Sequence, residues 1–173
     1  MQTAPGFHAV PHKLVVAKRL SQCLNPALPT GVHARALDVY THIFTVLGVD
    51  GLRRDLPVWT PGLLPFFAHA ATSVRPVVLD MYERFYVPLS DDLRPVTRAL
   101  LLSLLPGLEE ESGEYFDRVV ALLDRISASV TIPFFLQCIW IVLATSPAVR
   151  LSALNYLARR MPPLSDANAP CSM

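Results

Sequence analysis

Charge is scarce in this chain. Asp, Glu, Lys and Arg make up 17% of its 173 residues, 52% are hydrophobic, and the formal net charge is +1. An average domain carries about a quarter charged residues. Sparse, balanced charge excludes a nucleic-acid binder held by bulk electrostatics, so an anionic partner would have to meet a local patch. Cysteine is scarce too. Cys23, Cys138 and Cys171 form an odd, widely spaced set. They offer neither a disulfide framework nor C-x-x-C metal spacing, and free thiols in a reducing cytosol are expected. The first eleven residues lack the basic-then-apolar order of a signal peptide. A long hydrophobic run is also missing. Ile132 to Ala144 gives 13 residues, interrupted by Pro133 and Gln137, against the ~20 that cross a bilayer. The positive mean hydropathy (+0.38) therefore points to core helices. A Gly-rich phosphate loop, a G-x-S-x-G elbow and an H-E-x-x-H pair are absent.

What is present is a repeat. Val-x-x-x-Ala/Val-Leu-Asp-x-Tyr runs from Val32 to Tyr40 and again from Val74 to Tyr82, at a constant offset of 42, and Phe44 stands against Tyr86 at the same offset. A weaker echo links Val149, Ala153, Leu154 and Asn155 to Val74, Val78, Leu79 and Asp80. A period near 40 is that of two-helix repeats stacked into a solenoid. In such a stack Leu37, Leu79 and Leu154 are expected to hold equivalent places on one apolar seam.

The punctuation agrees with helices throughout. The spacing predicts helices over about 12–23, 32–47, 61–71, 73–87, 90–105, 114–127, 131–144 and 146–161, with Gly51 to Trp59 as a connector or short helix. Val32, Ala36, Leu37, Tyr40, Ile43, Phe44 and Leu47 form one stripe at a period near 3.6. Gly48 supplies a stop. Thr30, Ser73 and Thr131 are expected caps. Most of the 16 prolines fall in first turns or just past helix ends, where a helix accepts them. The expected fold is all-α: a right-handed helical solenoid of HEAT/armadillo-like helix pairs, about eight helices. It divides into an irregular start (1–11), a helical repeat domain (12–161) and a disordered tail (162–173).

Chemistry is thinly signalled. His8 and His12 are spaced i, i+4, which suits two metal ligands on a helix, but no third ligand is near and Pro11 intervenes. Glu109, Glu110, Glu111 and Glu114 cluster at a helix start, where the dipole favours acids. A small hydrolase or metal enzyme built from these residues is the alternative to a binding protein. Asp38 and Asp80 flank the repeated stripe and could form a polar ladder with Arg35 or Arg75. Lys13, Lys18 and Arg19 on the first helix, and Arg53 and Arg54 in the connector, are the basic clusters. The first of them is a candidate contact for anionic lipid.

The loop text between the helices resembles the N-terminal domain of the Dopey family. It includes the run from Lys18 to Pro29 into Gly31-Val32-His33, Asp55-Leu56 to Gly62-Leu63, and Ser73-Val74-Arg75-Pro76. It also includes Tyr86-Val87-Pro88-Leu89, the specific tract Leu104-Leu105-Pro106-Gly107-Leu108-Glu109-Glu110, and Thr145 to Leu151. The likeness covers about Pro11 to Met161. It implies a non-enzymatic protein of Golgi–endosome traffic, without cofactor, peripheral to the cytosolic face of trans-Golgi and endosome membranes. The implied partners are a large Golgi scaffold related to Arf exchange factors, a phospholipid flippase, kinesin light chain and phosphoinositide-bearing membrane. The family's N-terminal domain begins several helices earlier and its proteins extend hundreds of residues further.

Overall fold

The computed structural model describes residues 10–109 and 113–160. Every element in them is helical, and no strand occurs among the described residues. The α-helices are α1 (Lys13–Cys23), α2 (Thr30–Leu63), α3 (Arg75–Met81), α4 (Thr97–Leu104), α5 (Phe116–Val130), α6 (Ile132–Thr145) and α7 (Arg150–Arg160). Tighter 3-10 turns link them, and a single wider π turn (Tyr82–Tyr86) extends α3.

Proline decides much of this. Pro88 and Pro95 each lack an N–H donor. The stretch Val87–Val96 runs in 3-10 turns broken at Ser90, whose φ of 50° is not helical, and regular α-helix starts only at Thr97, later than the expected start near Ser90. Gly48 acts as a break and not an end. Its φ of 62° lies in the left-handed region that glycine enters freely. The helix bends there and resumes, so Gly51 to Trp59, expected as a connector or a short helix, is helical and continuous with α2. Thr30, Ser73 and Thr131 make no capping bond. Thr30 is already inside α2, behind Pro29. Thr131 sits between α5 and α6 at φ 73°, which points the chain into α6 without side-chain help. The tail expected over 162–173 and most of the irregular start fall outside the described residues.

One apolar core runs through all seven helices. Its centre is aromatic. Tyr40 and Phe44 of α2 meet Trp59 of the same helix beyond the Gly48 break, with ring centroids 6.3 Å apart in both cases. Phe44 meets Phe85 at 5.5 Å and Tyr86 at 6.1 Å. The aligned residues of the two motif copies, Phe44 and Tyr86, therefore touch each other edge-on. Leu37 and Leu79 are both fully buried, as the repeat requires. Leu154 is not: it is 47% exposed, and its neighbour Ala153 is the buried residue. The third leucine thus departs from the expected seam. α7 is the last described helix, and its inward stripe is Ala153, Tyr156 and Leu157, which turns Leu154 outward.

Candidate interaction surface

α1 packs on the second arm of α2 through Ala17, Leu20 and Leu24. The approach is close because position 62 is glycine: a Cβ there would come within 2.7 Å of the Ser21 Cβ and 2.8 Å of the Tyr40 hydroxyl. The basic cluster of α1 is divided by this docking. Lys13 Nζ donates to Asp55 Oδ1 at 2.6 Å. Asp55 is 1% exposed and is the only buried acid among the described residues. Arg54 reaches the same oxygen at 3.4 Å, while Oδ2 is buried without a partner. Burial pushes the Asp55 carboxyl up, but the hydrogen bonds and charges of Lys13 and Arg54 outweigh it and hold the group below its ordinary value. Lys13 is thus a structural cation. Lys18 and Arg19 face outward beside Leu14 (69% exposed) and Val15 (59%), with Arg19 bonded to Gln22 at 3.2 Å. The connector cluster is neutralised: Arg53 pairs with Asp50 and Asp92, and Arg54 with Asp55.

Because the Asp55 pKa is depressed by folding, its contribution is present above the unfolded carboxylate value of about 3.9 and is lost as pH falls through the lower folded value. Asp55→Asn removes that dependence. The urea midpoint of the wild type is expected to fall relative to that of the variant as pH drops from 5 to 2. Parallel curves would refute the buried pair.

The two acids of the repeat behave differently from one another. Asp38 pairs with Arg35 at 3.4 Å on an exposed face, one of the two arginines expected for such a contact. Asp80 takes neither. Arg75 instead donates to the Ala70 carbonyl at 3.1 Å and lies over Phe67. Asp80 is bound by Arg118 of α5, which also holds Glu83 at 3.0 Å through two nitrogens. The same arrangement recurs further on, where Arg160 of α7 holds Asp124 of α5 (Nε to Oδ1, 2.7 Å) and Tyr156 donates to the same oxygen at 2.8 Å. Lys13–Asp55, Asp80–Arg118 and Asp124–Arg160 join residues 42, 38 and 36 positions apart. Arg118, Asp124 and Arg160 were not singled out by sequence reasoning, although opposite charges one repeat period apart were the signal that could have found them.

Of the residues of the enzymatic alternative, His12, Glu109 and Glu114 are described, and His12 does not line the cleft that the two acids border. His8, Glu110 and Glu111 lie outside the described residues. His12 precedes α1 with a left-handed backbone. Glu109 and Glu114 border a cleft of about 240 Å³ with Thr72, Arg75 and Tyr115. Among the described residues no three His, Cys, Asp or Glu side chains stand close enough to share a metal ion, and no single helix is long and apolar enough to cross a membrane.

Taken together, a continuous apolar core and ion pairs between helices define an all-helical fold among the described residues. The sequence model of the family described as "Dopey, N-terminal" matches residues 1–171. The chain belongs to the Dopey family. It is 43% identical over 166 residues to the Mus musculus protein DOP1B, covering 94% of this chain and 7% of that protein. It is 41% identical over 175 residues to protein dop1 of Emericella nidulans (92% and 9%), and 34% identical over 158 residues to protein DOP1 of Saccharomyces cerevisiae (90% and 9%). The chain thus spans less than a tenth of the length of the curated relatives it matches. No solved structure matches it significantly.

Proposed function

We propose that this chain is a non-enzymatic scaffold segment for vesicle-mediated transport between Golgi and endosome, seated on the cytosolic face of those membranes. Family membership over nearly the whole chain is the observation that carries the reading. Its helices stack in series as HEAT/armadillo-like pairs. The support for that is the set of ion pairs joining residues 36 to 42 positions apart, the spacing of a two-helix repeat. Partners would be the protein classes that the family resemblance implies: an Arf-exchange-factor-related Golgi scaffold, a phospholipid flippase and kinesin light chain.

A chimera tests this. Yeast whose DOP1 carries this chain in place of its matched segment is expected to keep recycling cargo at the Golgi. Loss of that localisation, with the chimera at normal abundance, would overturn the proposal.

Membrane contact falls to Lys18 and Arg19 with Leu14 and Val15, since Lys13 is engaged by Asp55. A basic residue near an anionic surface contributes about 1 kcal/mol. Replacing Lys18 and Arg19 together by Glu is expected to weaken sedimentation with anionic vesicles by roughly tenfold or more at low salt, and less as salt screens the attraction. Equal sedimentation of wild type and variant would remove lipid contact from this face.

A further inference from the structure

α1 runs alongside the second arm of α2 in the same direction, with Lys13 meeting Asp55 and, further along, Ser21 close to Gly62. A groove of about 440 Å³ lies between Leu14, Lys18 and Ser21 on α1 and Pro57, Pro61 and Gly62 on α2. It adjoins a second hollow of about 370 Å³ that shares Ser21, Pro61 and Gly62 and reaches Gln22 and Pro65. Leu14 and Gln22 lie about 12 Å apart along α1, the span of about four residues of extended chain.

Two features define what this groove can hold. The first is backbone. Proline has no N–H, so Pro57 and Pro61, both inside α2, leave the carbonyls of Arg53 and Pro57 without the donor that a helix supplies four residues on. Pro65 continues the row of rings past the end of α2. The two orphaned carbonyls sit one turn before the rings that wall the groove, about 6 Å from each other along the axis. In an extended chain every second N–H points the same way, at a repeat of about 6.6 Å. An extended peptide in the groove therefore matches them with alternate N–H groups. A helical peptide has spent its interior N–H groups on itself and does not.

The second feature is charge. Lys18, at the mouth of the groove, has no hydrogen-bond or ion-pair partner among the described residues. No Asp or Glu lines either hollow. Asp55, on the same arm of α2, is buried and already held by Lys13 and Arg54.

We propose that the groove between α1 and the second arm of α2 binds an extended, acidic peptide segment of a partner protein, with alternate N–H groups on the carbonyls of Arg53 and Pro57 and a carboxylate on Lys18. The inference goes beyond the transport reading and does not depend on it. Arg19, which the membrane contact uses, lines neither hollow, so the two surfaces can be told apart.

Random heptapeptides displayed on phage and selected on the 173-residue chain are the probe. Selection is expected to return sequences carrying Asp or Glu, and the strongest, made synthetically, should bind one to one. Methylating its backbone nitrogens one at a time should weaken binding at least tenfold at two positions that flank a tolerant one. Pro61→Ala gives the Pro57 carbonyl its N–H partner back. That variant should melt no lower than wild type, since alanine suits a helix interior better than proline, yet bind the peptide at least tenfold more weakly. Lys18→Glu should weaken binding by a similar factor at low salt, and Arg19→Glu should leave it nearly unchanged. The proposal is overturned by a selection that yields no binder, by binders without acids, by equal binding in Pro61→Ala, or by a self-association or vesicle binding that Pro61→Ala abolishes in place of peptide binding. None of these results bears on the yeast chimera, which reports the transport role alone.

Discussion

Leu79→Asp is expected to abolish the cooperative unfolding transition. Leu79 has no exposed surface and lies on α3 between the core residues Val78 and Tyr82. A carboxylate there would be buried without a partner, the kind of change whose cost exceeds about 4 kcal/mol. A domain of this size holds about 5–15 kcal/mol in all, so circular dichroism melting should show a loosened chain or none at all. Leu154→Asp is the matching control. The sequence repeat gives both leucines the same place, but Leu154 is 47% exposed, and a surface change costs within about 0.5 kcal/mol. Two similar melts would refute the separation of these positions.

Gly62→Ala should release α1. In a helix interior the change alone would stabilise by up to about 1 kcal/mol. Here the added Cβ would sit 2.7 Å from the Ser21 Cβ and 3.2 Å from its Cα. The second contact is backbone, so no rotamer relieves it and α1 must shift. Overpacking of this kind costs about 1–3 kcal/mol, or roughly 2–10 °C in melting temperature for a chain of this length. It should also open the α1–α2 loop to protease. Gly31→Ala, in the same helix but with nothing within 4 Å of the new Cβ, is expected to stabilise by about 0.4–1 kcal/mol. If Gly62→Ala stabilises as well, the close approach of α1 is wrong.

Helix order and most helix limits were legible in the sequence because prolines and apolar stripes act locally. The motif pair at 32–40 and 74–82 was legible for the same reason, and Phe44 does meet Tyr86. What escaped depends on partners remote in sequence. Gly48 reads as a stop, since a left-handed glycine ends most helices. Only the packing of Trp59 back onto Tyr40 and Phe44 makes it a bend. Asp80 was expected to pair with Arg35 or Arg75, and tertiary packing gave it Arg118 of α5 instead. Lys13 looked like a surface cation, and nothing local shows that Asp55 is buried beneath it. Leu154 was placed on the seam by periodicity, but burial also needs a neighbour, which the described helices do not provide.

The arginine rungs have a mechanical consequence. Arg118 and Arg160 remain 33% and 44% exposed, and their carboxylate partners Asp80 and Asp124 67% and 40%. Pairs so wet add about 0–1 kcal/mol each, too little to decide whether the chain folds. They tie α5 to α3 and α7 to α5 at the protein surface, where they bear on how neighbouring helices lean on one another. Salt strong enough to screen them should therefore loosen these links between helices while the oily interior stays shut, a change of surface stiffness that leaves the melting point unmoved.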